Sequence, residues 1–500
     1  MPRLKYNLIA NFLGKGWTAI MGLGFVPLYI KFMGIEAYGL VGFSATIQAL
    51  SSLLDMGLSS TLNRELAILS SQEGKQQDSR DLVRTLEIIY WGITFVICLS
   101  VFIISPFLAD SWIKSQELSK ESVQAAIALM GLVIGFQFPF SLYSGGLLGL
   151  QRQVLLNGII ITMSTLRGVG MILILWLVSP TIQAFFIWQA FISLLQTLVT
   201  LIFLWRSLPS SQRKPYFRKD LWLGIWRFSV GMTGISLVSL ILMQTDKILL
   251  SKILTLEDFG YYNLAGTVAS GVTIVIAPIF TSVFPKFSEL VSRKEEDKIT
   301  ALYHKSSQLL SVLVLPICVT LSLFSKDILL LWTGNSIIAD KAYLMASLLT
   351  IGTSLNGLLN VPYALQLAYG WTKLAISINL VAISFLIPSL FFLASRYGGV
   401  GASIIWAILN GSYVLIGIRF MHFRLLKGEL RTWYVQDIVR PLLGALLIGL
   451  LMLFIFKSGY FQLSVNIWSL AAITGLTFLG SILTTELTSL KIRKFLSQST

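Results

Sequence analysis

Lys31-Phe-Met-Gly-Ile-Glu-Ala-Tyr-Gly39 returns in altered form as Lys252-Ile-Leu-Thr-Leu-Glu-Asp-Phe-Gly260, 221 residues further along the chain. A second pair keeps the same offset: Gly149-Leu-Gln-Arg152 against Gly370-Trp-Thr-Lys373. Two matches more than a hundred residues apart, with no net insertion between them, point to a duplicated unit followed by an unduplicated remainder. The chain then divides into 1–220, 221–420 and an extra segment over 421–500.

What is duplicated is membrane-spanning. Hydrophobic residues make up 55% of the 500 and charged residues 12%, whereas a soluble domain carries about 25% charge. Mean hydropathy is +0.78. The apolar residues come in runs of roughly 20, the length that crosses a bilayer, and no polar block is large enough to make a separate soluble domain. The runs are continuous, not alternating, which excludes a β-barrel. They fall at 7–30, 38–58, 86–108, 122–147, 156–178 and 183–205, then at 223–250, 261–284, 306–325, 342–369, 374–394 and 400–418. A last pair covers 441–456 and 465–485. The expectation is an all-α polytopic membrane protein with about 14 transmembrane helices: two six-helix lobes and a C-terminal helix pair. Arg3 and Lys5 precede an apolar stretch that lacks an A-x-A cleavage site, so that stretch reads as a retained first helix. Cys98 and Cys318 lie inside apolar runs and indicate no disulfide framework.

Basic residues give an orientation. With the N-terminus inside, Lys and Arg favour the cytoplasmic segments about three to one, so both termini are expected in the cytoplasm. The net charge of +15 then reports topology and attraction to anionic membrane lipids. No stripe for nucleic acid is present, because the charges are spread over many short loops. Six helices is an even number, so the two lobes share one orientation and their axis runs along the membrane normal. Two like halves in a membrane usually enclose a site that opens to each side in turn.

Ionisable residues inside spans are costly and default to a functional hypothesis. The cations are Lys15, Arg167, Arg227 and Lys247, and the acids are Asp55 and Asp246. Arginine grips the oxygens of a diphosphate through paired hydrogen bonds, and a cavity lined by cations suits an anionic headgroup. Each has a plainer alternative. Arg227 can snorkel to the interface beside Trp222 and Trp226, and Lys247 can reach the outer interface or pair with an acid. Arg167 lies too near mid-span to snorkel, so it needs a buried polar partner or a ligand. Asp55 and Asp246 can bind a coupling proton or sodium ion, or form a fixed salt bridge. Glu36 and Glu257, in the repeated turns, read as helix caps. Pro139 and Pro362 interrupt equivalent helices and are candidate hinges. Gln137, Tyr143, Asn356, Asn360 and Gln366 lie near those bends, where they can meet sugar hydroxyls or bond helix to helix. Gly14-Lys-Gly-Trp-Thr18 lacks the residues of a nucleotide-binding loop. His304 and His422 have no ligand-like neighbours in sequence and are assigned no chemistry. Under the 221 offset Lys15 meets Ser236, Asp55 meets Ile276 and Arg167 meets Pro388. The halves share their turns but not their intramembrane charges.

Several segments resemble the polysaccharide (O-antigen type) repeat-unit flippases of the multidrug/oligosaccharidyl-lipid/polysaccharide superfamily. They are Asn7-Leu-Ile-Ala-Asn-Phe12, Pro27 through Leu40, Asp55-Met-Gly-Leu-Ser59 with Arg64, Thr245 through Lys252 with Gly260-Tyr-Tyr-Asn263, and Phe284-Pro-Lys-Phe-Ser288. The resemblance covers 1–420 well and the last two helices by position only. It implies a bacterial inner-membrane flippase, not an enzyme, working by alternating access. Its cargo would be an undecaprenyl-diphosphate-linked oligosaccharide carried to the periplasmic leaflet. Lys15, Arg64, Arg167, Arg227 and Lys247 would meet the anionic cargo, and Asp55 and Asp246 would couple H+ or Na+ or pair charges. No cofactor or metal is implied. Other polysaccharide assembly proteins are expected partners, and a lipid-tail groove is expected at the two extra helices. The alternatives are an ion-coupled drug/cation antiporter of the same superfamily, which would prefer an acidic cavity, and a membrane glycan polymerase or ligase. The latter would need a large outer loop, and none is present.

Overall fold

Local sequence decides where the helices break. In the computed structural model, residues 2–223, 243–458 and 465–485 are described, apart from the side chains of 2–9 and 12. Arg227 and the neighbouring Trp226 lie outside the described residues. The first helices are α1 (Pro2–Gly24), α2 (Val26–Ser51), α3 (Leu58–Leu69), α4 (Gln76–Phe107), α5 (Lys120–Gly149), α6 (Gln153–Leu177) and α7 (Ile182–Ser207). They are followed by α8 (243–253), α9 (Leu256–Ser270), α10 (Thr273–Ser292), α11 (Glu296–Leu323) and α12 (Ser325–Thr333). The rest are α13 (Ser336–Leu358), α14 (Asn360–Ala368), α15 (Lys373–Ser412), α16 (Ile418–Leu425), α17 (Arg440–Lys457) and α18 (Ile467–Leu483). Among the described residues the one β feature is an isolated bridge between Lys114 and Thr255.

The architecture is that of an all-helical, multi-pass membrane protein, but fourteen separate spans are not reproduced one for one. Ten elements among the described residues are long and apolar enough to cross a membrane. One of them, Lys373–Leu425, holds two arms that meet at Gly398, where φ is 59°. Similarly, α2 turns at Gly34, where φ is 86°. Only glycine takes such left-handed conformations at little cost, so each residue marks the turn between two expected spans inside one continuous element. Much of the expected seventh span lies outside the described residues, and the eighth is divided between α9 and α10. The last helix, Ile467–Leu483, is apolar but short.

By its internal contacts the chain forms two units, Met1–Gly260 and Tyr261–Thr500. The first extends past the repeat boundary because α8 and the turn after it pack on the first repeat. Trp112 Nε1 donates to Ser251 Oγ at 3.0 Å, and Lys114 Nζ to the Ile253 carbonyl at 2.9 Å. The repeated turns themselves meet reciprocally. A Cβ at Gly39 would collide with the Leu256 carbonyl oxygen, and one at Gly260 with the Ile35 carbonyl oxygen. Gly39 and Gly260 are equivalent under the offset, and so are Ile35 and Leu256. The glycines keep their places in the repeat because each admits the other turn's backbone.

In the second unit, Val272, Phe287, Tyr303, Leu310 and Trp433 belong to one buried apolar cluster. The unduplicated segment packs on α11, with Gly449 of α17 against Val319. Backbone touches backbone between α17 and α18 at Gly444 and Gly480.

Candidate functional site

Arg167 sits near the middle of α6, about 21 Å along the helix from Gln153 and about 15 Å from Leu177 at 1.5 Å per residue. A cation at that depth costs roughly 2.5–3.5 kcal/mol on insertion scales unless it is compensated. The compensation here is neutral. Nη1 donates to Gln189 Oε1 at 2.8 Å, and Nη2 donates to Gln196 Oε1 at 3.1 Å and Gln137 Oε1 at 3.2 Å. Ser193 Oγ lies 3.4 Å from both nitrogens. Gln189, Ser193 and Gln196 are spaced four and three residues apart, so they form one polar face on an otherwise apolar α7. Gln137 comes from α5. Among the described residues no carboxylate stands within ion-pair distance of the guanidinium and its Nε–H has no partner. The side chain is half-buried, oriented by amides, and keeps its full charge uncancelled.

Asp55 ends the 3-10 turn Ser52–Asp55, where α2 gives way to α3. The chain reverses through Met56 and Gly57, both left-handed, at φ 46° and 75°. Asp55 Oδ2 accepts from Ser59 Oγ at 2.8 Å, one helical turn on, and Oδ1 accepts from the Tyr90 hydroxyl of α4. Ser141 Oγ of α5 is 3.2 Å from Oδ1 and 2.9 Å from the Phe138 carbonyl, so its single proton serves one at a time. The partners of this carboxylate are hydroxyls; the interhelical salt bridge weighed for it is not formed among the described residues. Asp55 opens into a cavity of about 320 Å³ lined also by Gln48, Ser51, Ser52, Ser59, Gln137 and Ser141. Gln137 thus lines the carboxylate's cavity and holds the guanidinium. One amide joins an uncancelled cation to an uncancelled anion.

The other candidates are not drawn into this cluster. Lys15 is exposed on α1 and makes no hydrogen bond or ion pair among the described residues. Arg64 is exposed on α3, 3.9 Å from Glu65. Lys247 and Asp246 are half-buried on α8. Pro139 leaves the Gly135 carbonyl without its helical donor, and Thr94 Oγ1 of α4 supplies the bond at 3.1 Å. Pro362 lies in the first turn of α14, after the break at Leu359. Helix-to-helix bonding claims several of the residues considered for sugar contact. Tyr143 donates to the buried carboxylate of Glu87 at 3.0 Å and receives Trp91 Nε1 at 2.9 Å. Asn356 donates to Asn410 at 2.8 Å.

Three features went unread in the sequence. The Gln189/Ser193/Gln196 face was legible, since three polar residues at helical spacing within one span are unusual. Glu36 does not cap the helix after its own turn; it binds the loop ahead of α5, whose N-cap is Ser119. Its carboxylate accepts from the backbone N–H groups of Gln116, Glu117 and Leu118 at 2.6, 2.7 and 3.2 Å, just before α5. His304 has two carboxylate neighbours: Asp437 at 2.6 Å from Nδ1 and Glu429 at 3.1 Å from Nε2. They lie 133 and 125 residues away in sequence, so no local motif announces them.

This helical arrangement defines a class. The fold is similar to that of the lipid II flippase MurJ in an inward closed conformation, with a TM-score of 0.69 over 97% of this chain and 99% of that one at 16% identity. It is also similar to an inward-facing multidrug resistance MATE transporter of the MOP superfamily, with a TM-score of 0.64 over 83% and 96% at 15% identity. Within that class, the model of the polysaccharide biosynthesis protein family matches residues 4–291, and the chain belongs to that family. Similar curated proteins include a putative O-antigen transporter of Shigella flexneri, 22% identical over 80% of this chain and 94% of the relative. The succinoglycan biosynthesis transport protein ExoT of Rhizobium meliloti is 25% identical over 96% and 93%. The lipopolysaccharide biosynthesis protein WzxC of Escherichia coli is 22% identical over 85% and 83%.

Proposed function

We propose that the protein is a flippase for lipid-linked oligosaccharide repeat units, carrying them across the bacterial inner membrane by alternating access during O-antigen or related polysaccharide assembly. The observation that carries this reading is Arg167: a guanidinium at mid-span, oriented by three glutamines and a serine, with no carboxylate among the described residues to cancel it. Neutral acceptors fix its direction and leave its charge for an incoming anion, such as the diphosphate of an undecaprenyl carrier. Support also comes from family membership and from relatives named as O-antigen, succinoglycan and lipopolysaccharide transporters. The protein would move its cargo without changing a covalent bond, so no residue is assigned a catalytic role. Asp55, held by hydroxyls in a polar cavity, is suited to take a proton or sodium ion that couples transport to a gradient. Both termini would face the cytoplasm, where other assembly proteins could meet them.

The test is a strain lacking the gene, complemented with wild-type or Arg167→Ala protein. Wild type restores surface glycan. Arg167→Ala reaches the membrane at normal level but lowers export at least a hundredfold, and lipid-linked repeat units accumulate on the cytoplasmic leaflet. Full export by that variant would remove Arg167 from the site. A second reading, a cation antiporter, is favoured by Asp55 lining an acidic cavity and by the likeness to MATE folds. Normal surface glycan with new sensitivity to cationic dyes in the deletion strain would select it.

A further inference from the structure

The chain carries two histidines, and the fold gives them opposite surroundings. His422 of α16 is buried and satisfied as a neutral ring. Its Nδ1 lies 3.1 Å from the Ile418 carbonyl, which can only accept, so Nδ1 holds the proton. Its Nε2 then accepts from the Tyr303 hydroxyl at 3.3 Å. His304 of α11 meets a carboxylate oxygen at each nitrogen instead: Asp437 at 2.6 Å from Nδ1 and Glu429 at 3.1 Å from Nε2. A neutral imidazole has one N–H to give, so it satisfies one of these oxygens and turns a lone pair toward the other. The imidazolium donates to both.

The two acids belong to the connection between the second repeat and the unduplicated helices. Glu429 follows the left-handed turn at Gly428, where φ is 89°. Asp437 lies in a π-helical stretch, Trp433–Val439, that runs directly into α17. The acids differ in freedom. The Asp437 side chain is fully buried and also accepts from Gln308 Nε2 at 3.0 Å. The Glu429 side chain is 34% exposed, so it has water to turn to. Other titratable groups surround them. The Tyr303 ring stands edge-on to His304, and the His422 and Tyr434 rings pack on Trp433. Lys305, the next residue on α11, lines a different cavity with Lys286, Arg293, Glu295 and Lys298.

We propose that His304 is a proton-binding site whose proton latches the 426–432 connection to α11 through Glu429. With the proton bound, both carboxylates are held by charge-assisted hydrogen bonds. When Nε2 loses its proton to water, the Nδ1 proton stays with buried Asp437, and Glu429 swings out because it alone of the two acids reaches solvent. His304 lies ahead of the apolar run 306–325. Burial works against its charge, but the carboxylates of Asp437 and Glu429 outweigh burial and hold its pKa above the ordinary imidazole value of 6.5. A raised value of this kind closes the latch below the ordinary pKa and opens it as pH climbs through the higher one. With both termini in the cytoplasm, as the bias of Lys and Arg implies, the site reads the pH of that compartment. The latch is independent of what the protein carries.

The experiment places the full chain, with isotope-labelled histidine, in phosphatidylethanolamine/phosphatidylglycerol nanodiscs and follows the ring nitrogens by NMR from about pH 5.5 to about pH 9, a range that brackets ordinary histidine titration. His304→Gln assigns the two rings. His422 is expected to be neutral with its proton on Nδ1, and His304 to be protonated on both nitrogens and to titrate above the ordinary value. A His304 ring that is already neutral at the ordinary value would overturn the proposal. Glu429→Gln changes a partly exposed side chain and should fold; its amide oxygen still accepts from Nε2 without a charge, so the His304 transition should move down. A transition that stays in place would remove Glu429 from the site. Backbone hydrogen exchange, corrected for the pH dependence of the intrinsic rate, reads the latch itself. Protection over 426–432 should fall about tenfold across the His304 transition in the wild type and stay constant with pH in His304→Gln. Wild-type protection that ignores the transition would overturn the latch.

Discussion

The helix pair α6/α7 and the two arms of α15 occupy corresponding positions under the 221-residue offset, and they differ in chemistry. In the first repeat, Gly170 lets α6 sit against Trp188, and the closed pair carries a polar face that aims Arg167. At the corresponding positions of α15, proline stands for the arginine and phenylalanine for the glycine, and an apolar cavity lies between arms that still touch where the Tyr413 hydroxyl donates to Asn379 at 3.4 Å. The same contrast holds at Asp55. Its equivalent, Ile276, is buried against Gly357 in the core of the second unit. The corresponding positions thus differ in chemistry, ionic in the first unit and apolar in the second.

The comparison can be broken most sharply at Gly170. Gly170→Leu forces a side chain into the Trp188 ring, and overpacking of this kind costs about 2–3 kcal/mol. The expected result is a clear fall in the denaturant midpoint of the detergent-solubilised protein; an unchanged midpoint would mean that α6 and α7 are not closed as described. A smaller effect is expected from Asp55→Asn. The amide oxygen can keep the Tyr90 bond while its NH2 donates to Ser59 Oγ, and the group carries no charge, so export in the complementation assay should drop about tenfold, equivalent to about 1.4 kcal/mol, with stability nearly unchanged. Equal loss of stability and export would make Asp55 a packing residue only. The smallest effect belongs to Phe391→Ala, the mirror of the Gly170 change. Phe391 is 63% exposed to the membrane, so the midpoint should move by less than about 0.5 kcal/mol. A loss as large as that at Gly170 would mean that Phe391 packs between helices and does not face the membrane.

The helical class and the membrane environment were legible because each depends on one segment at a time. The cations and acids inside spans were legible for the same reason: a charge in an apolar run stands out without knowledge of its neighbours. Hydropathy broke the spans around Gly34 and Gly398, where the structure places its turns inside continuous elements, but the count of fourteen is not reproduced one for one among the described residues. Tyr143 and Asn356 were read as open to sugar or to neighbouring helices; the structure commits their side chains to Glu87 and Asn410. His304 was the opposite case, with two acid neighbours that no local pattern reveals.

The sequence by itself determined that this chain is a bundle of membrane helices, with a few charges set inside its apolar runs. Only the tertiary structure decided which of those charges are cancelled. Hydropathy is a sum over neighbours in the chain, but the fate of a buried charge depends on which face of another helix turns toward it. Gln137, Gln189 and Gln196 reach Arg167 from two other helices. A rotation of either helix by one residue, about 100° in an α-helix, would take those amides away and leave the hydropathy profile unchanged.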